Sequence, residues 1–202
     1  MLLSTQAEPS ISLTRSDFQL DVNPAFGGRI DRLDFKGQPI FRPTLDRRDP
    51  APLQSACFPL VPFSNRIRRR TFEHRGKAYH LPANWTGDDN AIHGEGWKRP
   101  WRVQQLTDHR ITLSLSGAEF WPWDYDAVQS ITLEDDHVLF RLSVTNRSSE
   151  LMLAGTGFHP YFLRTEDSAL TLRAERCWAP MSAGPMSTIQ RRSIGSPNGG
   201  EP

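Results

Sequence analysis

Apolar and polar residues alternate with a period of two along several short segments of the chain. The clearest are ISLTRSDFQLDV at residues 11–22, RITLSLS at 110–116, AVQSITLED at 127–135 and VLFRLSVTN at 138–146. Successive side chains of a strand point to opposite faces, so this alternation predicts antiparallel strands that are buried on one face. The firmest prediction is a hairpin at residues 128–146, because Asp135-Asp136-His137 between its two strands is typical of a turn.

No long window carries the 3.6-residue apolar stripe of an amphipathic helix. The 16 prolines and 14 glycines interrupt the chain every few residues. This pattern excludes a helix bundle and a doubly wound α/β sheet, and the lack of a fixed repeat disfavours a propeller. The sequence therefore predicts an all-β protein, a large antiparallel β-sandwich with its function on loops.

Composition points to one ordinary globular domain that binds a small ligand. The chain has 202 residues, 37% of them hydrophobic, and its 24 Lys and Arg nearly balance its 23 Asp and Glu. A net charge of +1 does not indicate a nucleic-acid partner. Cys57 and Cys177 lie far apart without a CxxC companion, so we expect two buried thiols and neither a zinc site nor a disulfide framework.

The ends of the chain differ in character from its middle. The N-terminal residues MLLSTQAEPS lack the features of a signal peptide, and no apolar run is long enough to span a membrane, so we expect a cytoplasmic protein without membrane contact. Residues 179–202 are dominated by Ser, Gly, Pro and Arg without alternation. We therefore predict a sandwich domain at 1–178 and a disordered tail at 179–202.

One candidate ligand site is the segment FPLVPFSNRIRRRTF at residues 58–72. Asn65 and Arg66 follow a buried apolar run, and an amide beside a guanidinium offers several hydrogen-bond donors and an acceptor, which suits a polyhydroxylated ligand. The arginines at 68–70 are typical of a solvated edge that discourages strand pairing.

Two histidines lie in glycine-rich loops. His93 occurs in AIHGEGW and His159 in GTGFHPYF, where Pro160 keeps the backbone of His159 extended. Taken alone, each could be a turn residue or a strand-end cap. An imidazole with an unperturbed pKa near 6.5 can also exchange a proton at neutral pH. The remaining histidines are assigned no role: His74, His80, His109 and His137.

Three motifs occur in order: PLVPFSNRI, then IHG followed by a tryptophan, then GFHPYF. Together they resemble the aldose 1-epimerase (galactose mutarotase) family. NPAFGGRIDRLDFKGQPIFRP at 23–43 and the predicted hairpin resemble further parts of the family, so the similarity covers about residues 10–178. The resemblance implies a large antiparallel β-sandwich, in agreement with the alternation.

The resemblance also implies roles for individual residues. Asn65 and Arg66 would hold sugar hydroxyls, His93 would lie near the ring oxygen and His159 would be the general acid. Trp97, Trp101 or Phe162 could supply an apolar wall, although such residues are at least as typical of a core. The implied reaction interconverts the α and β anomers of free aldohexoses such as galactose and glucose.

The family's general base is a glutamate near the C-terminus, and an aspartate before it holds sugar hydroxyls. Nothing after Trp178 resembles that region, and the setting of Glu201 does not suit a catalytic carboxylate. We therefore expect a shortened family member with open strand edges, impaired activity, and a monomeric or weakly homodimeric state.

Three alternatives remain open: a hexose-6-phosphate epimerase that uses the arginines at 66–70, a non-catalytic sugar-binding protein, and a chain without function. The sequence contains no GxGxxG, P-loop or metal-ligand cluster, so we expect no cofactor and no metal.

Overall fold

The computed structural model describes residues 10–49 and 51–166, together with the strand residues 177–178 and 189–190. The chain divides into two compact units, Met1–Leu163 and Arg164–Pro202. The first unit carries both large sheets and all the candidate site residues.

Regular structure in the described residues is almost entirely β-strand. Two single-turn 3₁₀ helices, Pro52–Gln54 and Arg68–Arg70, are the helical segments of the described part. The strands are β1 (Ile11–Arg15), β2 (Phe18–Asn23), β3 (Arg29–Phe35), β4 (Gln38–Pro39), β5 (Cys57–Leu60), β6 (Arg66–Ile67), β7 (Thr71–His74), β8 (Lys77–His80), β9 (Ala91–Ile92), β10 (Arg102–Leu106), β11 (Arg110–Ser116), β12 (Tyr125–Leu133), β13 (Val138–Asn146), β14 (Gly157–Pro160), β15 (Cys177–Trp178) and β16 (Ile189–Gln190).

Two antiparallel sheets form the body of the first unit. One has the order β1-β2-β3-β5-β14, with β4 paired to β3, and the other has the order β10-β11-β12-β13. Leu20 and Ile30 of the first sheet belong to the same buried cluster as Leu113 and Ile131 of the second. Burial of such a side chain stabilises the fold by about 1.5–3 kcal/mol. The predicted all-β sandwich is confirmed.

The predicted hairpin is confirmed as β12 and β13, which pair antiparallel with Val128 opposite Ser143 and Leu133 opposite Val138. The alternation at residues 11–22 corresponds to two paired strands, β1 and β2. The chain reverses between them at Ser16, whose φ of 49° lies in the left-handed region.

Further predictions concern the two cysteines, the C-terminal tail and membrane contact, and the structure describes these regions only in part. Cys57 is a free, buried thiol as expected, whereas the side chain of Cys177 lies outside the described residues. Most of the predicted disordered tail also lies outside them, although β16, within that range, pairs antiparallel with β15. No helix in the described part is long and apolar enough to cross a membrane.

Candidate functional site

The asparagine-arginine motif and the first histidine motif meet through a two-residue ladder. β6 pairs antiparallel with β9, so that Arg66 lies opposite Ile92. The next residue along, His93, donates its backbone N–H to the carbonyl oxygen of Asn65 at 2.9 Å. This pairing brings two motifs that are distant in the sequence next to each other.

The second histidine motif lies on β14, the last strand in the order of the larger sheet in the described part of the chain. β14 pairs antiparallel with β5, which puts His159 opposite Phe58. The imidazole of His159 stacks on the Phe58 ring, with ring centroids 4.8 Å apart and an angle of 18° between the planes. His93 approaches the same imidazole edge to face, with a centroid separation of 5.2 Å.

These side chains surround one cavity of about 550 Å³. Four of the five site residues predicted from the sequence line it: Asn65, Arg66, His93 and His159. Its other lining residues are Leu53, Leu60, Ser64, Trp85, Gly87, Asp88, Ile92 and Tyr161. The cavity therefore combines polar groups with an apolar and aromatic wall, as small-ligand sites do.

Trp97, the fifth predicted residue, does not line the cavity. It is 0% exposed, and its ring centroid lies 5.3 Å from that of His93. Trp101 is also buried, and Phe162 lines a different, apolar groove. Trp97 and Trp101 are therefore core residues and do not form the apolar wall of the cavity. Trp85, which the sequence did not single out, is the tryptophan at the cavity wall.

The backbone at His93 and Gly94 takes a conformation that is unusual for most residues. Both have positive φ, 60° at His93 and 71° at Gly94. A Cβ atom on Gly94 would lie only 2.0 Å from the carbonyl oxygen of Val61. Glycine is therefore required at this position, where the loop passes close to the backbone of Val61, just after the end of β5.

Glu95 anchors the loop that follows His93. Its buried carboxylate accepts hydrogen bonds from the Arg99 guanidinium at 3.0 Å and the Tyr125 hydroxyl at 2.9 Å. The backbone N–H groups of residues 119–121 donate to the same carboxylate. Burial and the nearby Glu95 raise the pKa of the Tyr125 hydroxyl. Because its oxygens are fully engaged, Glu95 supports the loop and offers no free base.

Asn84 holds the main chain on both sides of His93. Its Nδ2 donates to the carbonyl oxygens of Ile92 at 2.6 Å and Gly94 at 2.8 Å. Its Oδ1 accepts the backbone N–H of Ile92 at 2.9 Å. Asn84 could not be identified from the sequence, because its contacts arise only when the loop folds back.

Both imidazoles are held in surroundings that disfavour protonation. Burial lowers the pKa of His93 to about 4, and neighbouring His159 and Arg66 add to the decrease. Burial also lowers the pKa of His159 below 6.5, with Arg66 as a smaller cause. Both rings are therefore mainly neutral at neutral pH.

The histidines that were given no role lie away from this cavity: His74, His80, His109 and His137 do not line it. The arginines at 68–70 form a 3₁₀ turn outside the lining. Within the described part of the chain, no group of three or more His, Cys, Asp or Glu side chains could hold a metal ion.

A family model described as aldose 1-epimerase matches residues 9–187. The chain is 31% identical over 170 residues to the uncharacterized protein YphB of Escherichia coli K12, covering 83% of this chain and 56% of YphB. It is 26% identical to the uncharacterized protein YihR of the same organism, covering 75% of this chain and 49% of YihR.

Solved structures of similar proteins share the fold of this chain. The crystal structure of an aldose 1-epimerase candidate from Escherichia coli K12 superposes with a TM-score of 0.81 at 28% identity, over 91% of this chain and 62% of that one. Galactose 1-epimerase from Lactobacillus acidophilus NCFM has a TM-score of 0.60 at 18% identity, over 76% and 48%, and shares the fold. The chain spans 49–56% of the length of the curated relatives described above.

Proposed function

The chain belongs to the aldose 1-epimerase family, and on that premise we propose that it interconverts the α and β anomers of free aldohexoses by opening and reclosing the sugar ring. The observation that carries this proposal is the meeting of Asn65, Arg66, His93 and His159 in one cavity. Three separated motifs supply these side chains, and their combination of donors, acceptors and imidazoles matches the requirements of a sugar ring.

The reaction needs one proton to leave the anomeric hydroxyl and another to reach the ring oxygen. The bond between the ring oxygen and the anomeric carbon then breaks, and an open-chain aldehyde forms. Rotation about the adjoining carbon–carbon bond presents the other face of the aldehyde, and closure reverses the proton transfers. A positioned acid or base contributes about 10²–10⁴-fold to such a step.

In this proposal His159 protonates the ring oxygen, while Asn65 and Arg66 bind sugar hydroxyls. The lowered pKa of His159 makes its imidazolium scarce at neutral pH but a stronger acid. His93 stays neutral, because its pKa is about 4, and can exchange hydrogen bonds with the sugar near the ring oxygen. The anomeric proton passes to water, because the low pKa of His93 makes it a poor proton acceptor.

The charge of the cavity favours a free sugar over a sugar phosphate. Arg66 is the one cationic side chain in the lining among the described residues, and it is paired with Asp88 at 3.0 Å. The arginines at 68–70 do not reach the lining. A phosphate dianion binds best to several unpaired cations, so the hexose-6-phosphate alternative has no support from this geometry.

The experiment is polarimetry of freshly dissolved α-D-galactose and α-D-glucose, with NMR exchange spectroscopy of glucose 6-phosphate in parallel. The proposal predicts acceleration over buffer for a free sugar and a weaker effect on the phosphate. Acceleration confined to the phosphate would contradict the substrate class. Saturable sugar binding without acceleration would identify a non-catalytic sugar-binding protein.

A further inference from the structure

The loop between β8 and β9 carries a carboxylate that the reaction described above does not use. Asp88 lines the cavity beside Arg66, and its side chain is 17% exposed. It is the one carboxylate in that lining among the described residues. A carboxylate in this position could act as a base, could bind sugar hydroxyls directly, or could orient its neighbour.

Both carboxylate oxygens of Asp88 accept hydrogen bonds. Oδ1 accepts the backbone N–H of Asn90 at 2.9 Å and the Asn90 Nδ2 at 2.7 Å. Oδ2 accepts the Arg66 Nε at 3.0 Å. Asn90 is itself fixed, because its Oδ1 accepts the backbone N–H of Arg69 at 3.0 Å. Asn90 of the same loop therefore fixes the carboxylate of Asp88, and this carboxylate in turn fixes the guanidinium of Arg66.

This arrangement argues against a role for Asp88 as the base. Hydrogen bonds from Asn90 and from Arg66 lower the pKa of the Asp88 carboxyl below 3.8. A group of such low basicity, with both oxygens engaged, is a poor proton acceptor at neutral pH. Orientation of Arg66 is the function that fits its contacts.

The bond to Nε matters because of the shape of the guanidinium. Arginine presents its donors in a planar fork, and a partner on Nε fixes that plane while the two Nη groups remain free to donate. The described residues make no hydrogen bond to either Nη of Arg66, whose side chain is 47% exposed. Without Asp88, the long side chain would sample several rotamers and would have to be ordered by the sugar.

We propose that Asp88 is a positioning residue that presets the Arg66 guanidinium for sugar hydroxyls, so that it sets sugar affinity without taking part in proton transfer. The proposal rests on the proposed function, because it requires the cavity to bind an aldose. It explains why a carboxylate lies beside the arginine in a site for a neutral ligand, where it would otherwise reduce the attraction of that arginine for hydroxyl groups.

The test is a double-mutant cycle on Asp88 and Arg66, read out as the Kd for D-galactose by calorimetry and as the KM and kcat of mutarotation. Asp88→Asn keeps the shape of the side chain and removes its charge. We expect it to raise Kd and KM about 3- to 10-fold, the range for a charged hydrogen bond at a partly exposed site, with kcat little changed. In an Arg66→Met background, which keeps the aliphatic chain but has no donor for Asp88, the same substitution should have little effect on Kd.

A matched control is Asp126→Asn. Asp126 pairs with the Nε of Arg147 at 2.6 Å, in the same kind of contact but outside the cavity lining. It should leave Kd, KM and kcat unchanged. Thermal melts of each variant identify any that fail to fold, and Asp88→Ser then serves as the second variant.

The outcomes separate the two proposals. If the wild-type chain neither binds nor turns over an aldose, the proposed function fails and this inference fails with it. If the wild-type chain binds galactose and the effects of Asp88→Asn and Arg66→Met are simply additive, only the inference about Asp88 is overturned. A fall in kcat without a change in Kd would also overturn it, because Asp88 would then act in the chemical step.

Discussion

His93 and His159 meet edge to face, with their ring centroids 5.2 Å apart. Phe58 lies beneath this pair and contacts both rings, with centroid distances of 5.9 Å to His93 and 4.8 Å to His159. An aromatic support of this kind limits the rotation of the imidazoles and keeps water from one side of each. The two rings are therefore presented together to the same small cavity, within reach of a single sugar ring.

The buried state of His93 predicts a loss of stability in mild acid. Its pKa is about 4 in the folded chain against 6.5 for a free imidazole, so the unfolded chain binds more protons between these values. The stabilising effect of a neutral His93 is complete above pH 6.5 and is lost as the pH falls toward 4. Up to about 3 kcal/mol of unfolding free energy should disappear over this window.

Urea denaturation at a series of pH values measures this loss. His93→Gln should flatten the profile between pH 6.5 and pH 4, because it removes the titrating group. An equally steep profile in the His93 variant would show that other groups cause the acid sensitivity.

The lowered pKa of His159 predicts a characteristic pH dependence of the rate. If the imidazolium is the acid, its population grows as the pH falls toward its pKa. We therefore expect kcat/KM, corrected for the buffer reaction, to rise from about pH 8 to about pH 6. A rate that declines over this range would indicate that the neutral imidazole is the active form.

Asn84→Asp should disturb the loop that carries His93 while keeping the shape of the side chain at position 84. The substitution replaces the two donors to Ile92 and Gly94 by an oxygen, which would face two carbonyl oxygens. We expect a loss of about 1–3 kcal/mol in stability and at least a 10-fold fall in kcat/KM. The control Asn146→Asp removes a single exposed bond, to the carbonyl oxygen of Glu150, and should have a small effect on both. Wild-type kcat/KM in the Asn84 variant would contradict the positioning of His93 by this side chain.

Gly94→Ala separates steric conflict from backbone strain. The variant must place a Cβ against the Val61 carbonyl oxygen, so we expect it to lose more than about 3 kcal/mol or fail to fold. Gly76 has a similar φ of 75° but no atom within 4 Å of a Cβ, and Gly76→Ala should cost about 1–2 kcal/mol. Thermal melts compare the two directly, and equal losses would mean that the close approach at Gly94 is not limiting.

Elements of the fold and the site that have a local signal could be predicted from the sequence. Strand alternation predicted β12 and β13, and the ordered motifs predicted the cavity residues Asn65, Arg66 and His159. Asn84 and Asp88 were missed because the partners that matter for the site lie outside their own loop: Ile92 and Gly94 for Asn84, and Arg66 for Asp88. Their contacts depend on how the loop between β8 and β9 folds over β9, which no periodicity encodes.

Trp97 was predicted to bind the substrate, yet it is fully buried and does not line the cavity. A tryptophan after a histidine motif has the same sequence signal whether it faces a ligand or supports the histidine from behind. Burial decides between these roles, and burial here depends on packing against Phe58 and Trp85.

A weak signal for Asp88 did exist, since Asp-Asp-Asn at residues 88–90 is typical of a turn in which side chains cap the backbone.

The most direct test of the central claim compares wild type, His159→Ala and His137→Ala in the mutarotation of α-D-galactose by polarimetry. We predict that wild type accelerates the reaction over buffer and that His137→Ala matches it, because the exposed His137 lies outside the cavity. His159→Ala, with an unchanged thermal melt, should lose about 10²–10⁴-fold of the catalysed rate. Full activity in a folded His159→Ala variant would contradict the assignment of His159 as the proton donor.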